Sequence, residues 1–181
     1  DVKGGFSYTK VVQPILNKHC VSCHDGKKQE NGKVLANLTD EKVYKKRSQR
    51  NWLQSYLTLT GGINGQDSRP ILNWISSQSR PNMLPPYHRG SATSKVVKMM
   101  REGHGGVKLT REELDKFCAW IDLCVPFCGD YLEANAWAKK DFDRYIRYQR
   151  KRESLASEVR RNTEILYKKK TGKDLKLKDP E

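Results

Sequence analysis

The feature that most constrains this chain is a short run near its N-terminus, His-Cys-Val-Ser-Cys-His at residues 19–24. Two thiols, Cys20 and Cys23, are separated by two residues, and the imidazole of His24 follows directly. With this spacing, cysteines add to the two vinyl groups of a porphyrin as thioethers, and the next histidine binds the iron. The pattern predicts one covalent haem c, held by Cys20 and Cys23, with His24 as the proximal iron ligand.

Two other uses of paired cysteines compete with this interpretation. A zinc ribbon needs a second close pair, which only Cys124 and Cys128 could supply, far along the chain. A thioredoxin-like dithiol needs a βαβ setting, whereas the apolar spacing here is helical. Cys118 lies close to Cys124 and Cys128, so at most one disulfide can form among the three. The sequence does not decide whether one forms.

Helical signals surround the motif, and no strand pattern is recognisable, so we expect an all-α fold. Apolar spacing predicts a helix over residues 8–20, with Pro14 in its first turn or at a bend. A second helix is predicted over residues 51–60. Ser94 is the predicted N-cap of a third helix, which stops at Gly103.

The last helix of the core begins with a strong local signal. Thr110 and Glu113 have the spacing of a capping box, in which each residue satisfies a backbone N–H at the helix start. Pro126 is expected to end this helix. Its apolar face is predicted to comprise Leu114, Phe117, Cys118 and Ile121, extended by Trp120 and Leu123.

Composition and charge are distributed unevenly along the chain. Apolar residues make up 36% of it, below the roughly 45–50% of typical globular domains, so packing around a porphyrin would add scarce core material. The net charge is +14, and residues 139–181 carry +7 of it. We predict a haem domain over residues 1–130, a helical basic extension over 131–171 and a disordered tail over 172–181.

The basic surface favours acidic partners. We expect a redox partner protein, or other subunits with an acidic surface, and a homo-oligomer is a further option. We expect no nucleic-acid partner. The chain contains no run of about 18 apolar residues, so no transmembrane segment is predicted.

The order of the helices resembles that of class I cytochromes c from about residue 5 to residue 123, with first and last helices that cross beside the haem. Three strings are similar to the C-terminal cytochrome domain of the hydrazine synthase alpha subunit and its relatives in planctomycete-type bacteria. They are PILNKHCVSCHDGK, NWISSQSRPNMLPPYHRGSATSKVVKMMREGHGGVKL and LTREELDKFCAWIDLCVPFCGDYLEANAW. Together the strings lie within residues 6–138. This resemblance implies an electron-relay haem with two histidine ligands, in or beside a hydrazine synthase-like complex.

The second axial ligand has several candidates. His104 lies between glycines just before the last core helix, where many small cytochromes place this ligand, and the resemblance implies the same residue. His88 and Met83, in the preceding Pro-rich loop, are the alternatives. Met99 and Met100 lie in a predicted helix and are expected to be core residues. A haem with two imidazole ligands has a lower potential than a His/Met haem, and its filled sixth position blocks substrate binding.

Electron relay is therefore the expected function of this chain, since no catalytic residues are identifiable beyond the haem. A haem enzyme or a sensor with an open site for a small nitrogen or oxygen ligand is the alternative. Because haem attachment at this motif follows export, we expect a periplasmic location or an equivalent lumen such as the anammoxosome. Asp1 would then be a processed or excised start.

Overall fold

In a computed structural model, residues 5–28, 32–61, 71–75, 84–134 and 137–178 are described. The described chain is mostly helical, as predicted, with one two-stranded sheet. It divides into two compact units, Asp1–Ala136 and Trp137–Glu181. Within the described ranges, no helix combines the length and apolar content needed to cross a membrane.

The helix that leads into the cysteine motif has two parts, a π-helical turn over Tyr8–Val12 and helix α1 over Gln13–His19. Pro14 lies in the first turn of α1, where its missing N–H costs least. The N–H of Gln13 reaches back to the carbonyl of Tyr8, which makes the wider π turn at the junction. Val12 and Leu16 are buried along one face, as their spacing predicted.

Two predictions were wrong over residues 42–53. A helix does not start at residue 51, and strands are present. Strands β1 (Lys42–Lys45) and β2 (Arg50–Leu53) form an antiparallel hairpin, and helix α2 begins only at Gln54 and runs Gln54–Thr60. The strands are short and largely polar, so they leave almost no alternating pattern. The hairpin is stabilised instead by the Trp52 indole N–H, which donates to the Ser48 hydroxyl over 2.7 Å.

Helix α3 (Lys95–Glu102) has the predicted limits, and it follows a single 3-10 turn at Ser91–Thr93. Ser94 occupies the N-cap position, but its hydroxyl makes no capping bond. The hydroxyl donates to the carbonyl of Gly90 over 2.8 Å and accepts from the backbone N–H of Asn73 over 2.9 Å. Ser94 therefore joins the loop before α3 to a distant segment.

Helix α4 (Arg111–Asp122) begins with the predicted capping box, in which both reciprocal bonds form between Thr110 and Glu113. The helix ends at Asp122, earlier than Pro126, because the chain turns back through two residues with positive φ, Cys124 and Val125. The turn buries Val125 and lets the Trp120 indole N–H donate to the carbonyl of Pro126 over 3.0 Å. Leu123, predicted on the apolar face, is 56% exposed.

Aromatic side chains pack together within the largely aliphatic core of the first unit. Tyr8, Phe117 and Trp120 are fully buried, and Tyr56 packs edge-on against Tyr8 with ring centroids 5.1 Å apart. The π turn is also bonded to the segment after α4, through Tyr8 N–H to the carbonyl of Phe127 over 3.2 Å. The short helix α5 (Tyr131–Ala134) closes this unit.

The second unit is built on one long helix, α6 (Lys139–Thr171), which ends at Gly172 in the left-handed conformation. None of the described side chains of α6 is buried. The tail predicted to be disordered is irregular over residues 172–178, where the N–H of Leu177 donates to Glu164 over 2.8 Å. Residues 179–181 lie outside the described ranges.

Candidate haem site

The cysteine motif continues the end of α1 as a tight turn. The N–H groups of Cys20 and Val21 both donate to the carbonyl of Leu16, and the N–H groups of Cys23 and His24 both donate to the carbonyl of Cys20. This turn brings Cys20, Cys23 and His24 to the wall of one cavity. Cys20 is half-buried and Cys23 is exposed, and burial raises the pKa of the Cys20 thiol.

The orientation of His24 is fixed by the loop that follows the motif. Its Nδ1 lies 3.1 Å from the carbonyl oxygen of Ala36. A carbonyl can only accept, so this contact selects the tautomer of neutral His24 with the proton on Nδ1, which leaves on Nε2 the lone pair that a metal requires. The N–H of Leu38 donates to the His24 carbonyl over 2.8 Å, which holds the same loop against the motif.

His104 is presented by a tight turn between α3 and α4. The N–H of Val107 donates to the His104 carbonyl over 3.0 Å, and Gly105 and Gly106 between them have φ of +58° and +79°. Two successive residues with positive φ form a turn that is the mirror image of a common β-turn. Residues other than glycine rarely adopt this conformation. A Cβ at either glycine would meet nothing within 4 Å. The backbone conformation, and not lack of space, therefore requires glycine here.

The two imidazoles face one cavity of about 310 Å³. The ring centroids of His24 and His104 are 6.2 Å apart, with 36° between the ring planes. The remaining wall is predominantly aliphatic and thioether in character. Its members besides the cysteines and the two imidazoles are Leu16, His19, Leu35, Ala36, Leu38, Leu59, Ile71, Val96, Met99, Met100, Gly105, Val107 and Leu109.

Comparisons with protein-family profiles, curated proteins and solved structures find no match to this chain.

The residues fit a porphyrin iron on three grounds. An imidazole nitrogen lies about 2 Å from a bound first-row metal, so two imidazoles on opposite sides of one metal have ring centres about 6 Å apart. The 6.2 Å separation of His24 and His104 agrees with this distance. Both thiols of the motif line the same cavity, and the rest of its wall would cover an apolar macrocycle.

A metal site made of protein ligands alone has no counterpart in the described ranges, where no group of three or more His, Cys, Asp or Glu side chains could hold an ion. A porphyrin iron needs only two protein ligands, because the porphyrin nitrogens supply the others.

The alternative axial ligands lie elsewhere or are not described. His88 is exposed and is not part of the cavity wall. Met83 falls outside the described residues. Met99 and Met100, predicted to be core residues, are only partly buried, and both line the cavity.

A charged cluster beside the motif was not predicted from the sequence. Glu113 of the capping box accepts from Lys18 Nζ over 2.8 Å and lies 3.0 Å from His19 Nε2. Lys18, the Thr110 N–H and His19, in that order, hold the pKa of Glu113 well below its usual range. The cluster ties the start of α4 to the last two residues of α1, immediately before Cys20. Capping-box spacing identifies Glu113 in the sequence. The same spacing carries no information about the contacts of Glu113 with Lys18 and His19.

The three remaining cysteines are free thiols in the structure. Cys128 Sγ accepts from the Arg50 guanidinium over 3.0 Å, and the same guanidinium lies 4.9 Å from the Trp52 ring centroid. Cys118 is half-buried, and burial raises its pKa. These cysteines are not part of the cavity wall.

Proposed function

We propose that this chain is a monohaem c-type cytochrome domain of the class I type, which relays electrons through a haem with two histidine ligands. The single observation that carries the proposal is the 6.2 Å separation of the His24 and His104 rings across a cavity that Cys20 and Cys23 also line. The bound haem would supply a one-electron iron couple.

Each protein group has a separate task in this proposal. Cys20 and Cys23 tether the cofactor through thioether bonds, and the Ala36 carbonyl keeps the proton of His24 on Nδ1. Nε2 of His24 and the imidazole of His104 would hold the iron. The aliphatic side chains of the wall exclude water. Because two imidazole side chains would bind the iron, relay is favoured over binding of a substrate there.

Covalent attachment is tested first. The purified protein should keep its haem on a denaturing gel, and its mass should exceed that of the polypeptide by one haem. The Cys20→Ala/Cys23→Ala variant should lose the covalent haem, whereas Cys124→Ala, a change at a cysteine outside the cavity, should not. Complete extraction of the haem from wild-type protein by acidified acetone would refute the attachment.

Axial ligation is tested by absorption spectra of the ferric and ferrous protein with and without CO. Wild-type protein should be six-coordinate, low-spin and indifferent to CO. His104→Ala should become high-spin or bind CO, whereas the control His88→Ala should behave as wild type. A wild-type protein that is already high-spin and binds CO would instead favour the haem enzyme or sensor.

The proposed physiological setting is a hydrazine synthase-like complex in the periplasm or an equivalent lumen such as the anammoxosome. This part of the proposal is supported by the three similar sequence strings within residues 6–138. The intact mass of the protein purified from its native source, together with its co-purifying subunits, tests it. A native protein that carries neither further domains nor such subunits would contradict this setting without affecting haem attachment.

A further inference from the structure

A stripe of exposed apolar side chains runs along α6. Tyr148, Leu155, Val159 and Leu166 are 52%, 52%, 63% and 56% exposed. Their spacing of seven, four and seven residues puts all four on one side of the helix. With Arg152 and Asn162 in the gaps, the six residues alternate at intervals of four and three, the spacing of a coiled-coil seam. We call these six residues the α6 seam.

Exposed apolar rows of this kind mark interaction surfaces in soluble proteins. A helix of 33 residues with no buried side chain lacks the packing that usually stabilises helices. The α6 seam therefore has the character of an interaction surface. The charges of the neighbouring residues indicate the kind of partner that it binds.

The net positive charge of the chain argues against a second copy of the same chain as the partner of the α6 seam. Residues 139–181 carry +7, and residues 1–138 also carry +7, so a second copy would meet like charge. Within the seam itself, a parallel second copy would place Arg152 opposite Arg152 in a desolvated position. Arg144, Lys151 and Glu158 recur every seven residues along one flank of the seam, and their charges sum to a net positive charge. An acidic residue opposite Arg152 would remove this penalty and form a pair.

The surroundings of Tyr148, at the start of the seam, also favour an acidic partner. The guanidinium groups of Arg144 and Arg147 lie 5.9 Å and 5.3 Å from its ring centroid. An apolar anchor bordered by two guanidinium groups suits a partner that combines an apolar side chain with carboxylates.

We propose that the α6 seam docks an acidic amphipathic helix of a different protein, with a carboxylate of that helix opposite Arg152. The partner buries the apolar members of the seam, and its acidic flanks face the basic residues of α6. This inference concerns the extension alone and does not depend on the cofactor.

The test uses the full-length purified chain and a synthetic peptide with the α6 sequence in which every Lys and Arg is replaced by Glu. This peptide keeps the apolar spacing and has the proposed charge. Its binding is followed by fluorescence anisotropy. We expect saturable binding that weakens as salt is raised from about 50 mM to about 300 mM, because exposed charge pairs are screened.

Two matched variants separate docking in the seam from general charge attraction. Arg152→Glu and Arg150→Glu make the same charge change two residues apart, the first in the seam and the second on the far side of α6. Arg152→Glu should weaken peptide binding about tenfold or more, and Arg150→Glu only about twofold. Leu155→Ser/Val159→Ser should also abolish saturable binding, while circular dichroism confirms that α6 remains helical.

Four results would overturn the proposal. The first is the absence of peptide binding at low salt, and the second is equal weakening by Arg152→Glu and Arg150→Glu. The third is self-association of the wild-type chain through the seam in sedimentation experiments, which would identify a second copy as the occupant. The fourth is tighter binding to vesicles of anionic phospholipid than to the peptide, lost in the same seam variants, which would identify a membrane surface.

Discussion

Replacement of the buried Gln13 by leucine should lower the free energy of unfolding of the first unit. The decrease should be larger than for replacement of a less buried glutamine by leucine. Gln13 is 3% exposed, and its side-chain amide donates to Asn17 over 2.7 Å and to the carbonyl of Leu38 over 3.2 Å. Its carbonyl oxygen accepts from the hydroxyl of Ser55, which in turn accepts from the phenol of Tyr8 over 2.8 Å. Gln13 thus joins α1 to α2 and to the loop that orients His24.

The magnitude follows from the groups that leucine would leave without partners. The Ser55 hydroxyl and the Leu38 carbonyl are both buried in their bonds to Gln13. Each buried polar group without a partner costs about 1–3 kcal/mol, and the added apolar side chain returns about 1 kcal/mol. We expect the free energy of unfolding to fall by about 3 kcal/mol. With a urea m-value of about 2 kcal/mol/M, the midpoint would fall by about 1.5 M.

The control is Gln54→Leu in α2. Gln54 is only partly buried, and the hydrogen bond described for its side chain runs to the Thr58 hydroxyl over 3.1 Å, so loss of this bond should change stability by less than about 0.5 kcal/mol. Hydrogen exchange adds a local measurement, because the Leu38 N–H that donates to His24 should exchange faster in Gln13→Leu. If Gln13→Leu and Gln54→Leu have the same urea midpoint, the buried network does not hold the His24 loop.

Three further predictions concern the His104 turn and the start of α4. Gly105→Ala should cost about 1 kcal/mol, because alanine disfavours a φ of +58°. Gly105→Asn should cost less, since asparagine tolerates this conformation. Thr110→Ala should cost about 1 kcal/mol through loss of the cap, and Thr110→Ser should restore most of it. Because the pKa of Glu113 is lowered on folding, its contribution is complete above the unfolded pKa near 4.5 and is lost as the pH falls from there towards the native pKa. Glu113→Gln should therefore flatten the acid limb of the stability profile.

Urea titrations measure the first two, and thermal unfolding at stepped pH measures the third. Equal costs for Gly105→Ala and Gly105→Asn would show that the positive φ is not the constraint. A Thr110→Ser variant as unstable as Thr110→Ala would place the effect on the lost methyl group instead of the hydroxyl. An acid limb that is unchanged in Glu113→Gln would mean that other carboxylates set it.

The sequence was most informative where a local pattern has one physical solution. The capping box at Thr110 and the glycine stop after α3 appear where they were predicted. Short-range spacing singled out Cys20, Cys23 and His24, and His104 was one of several candidates for the second ligand. The structure brings these four residues to one cavity.

The features that sequence reasoning missed depend on contacts between distant segments. The β1–β2 hairpin has only four residues in each strand, and its tryptophan is stabilised by a side-chain bond across the turn. The Ala36 carbonyl that orients His24 is a backbone group, and no residue type encodes it. Helix α4 ends before Pro126, at a turn through Cys124 and Val125 in which both residues have positive φ and Val125 is buried.

The two sides of the candidate site differ in how firmly the structure holds them. On the His24 side, the imidazole and the backbone are bonded to the loop at Ala36 and Leu38, and Gln13 connects that loop to the buried core. On the His104 side, the described support is a glycine turn closed by one backbone bond from Val107. Local opening requires the least free energy where few buried contacts are lost. The turn that carries His104 should therefore open more readily than the loop that holds His24, which hydrogen exchange of the Val107 and Leu38 N–H groups would measure.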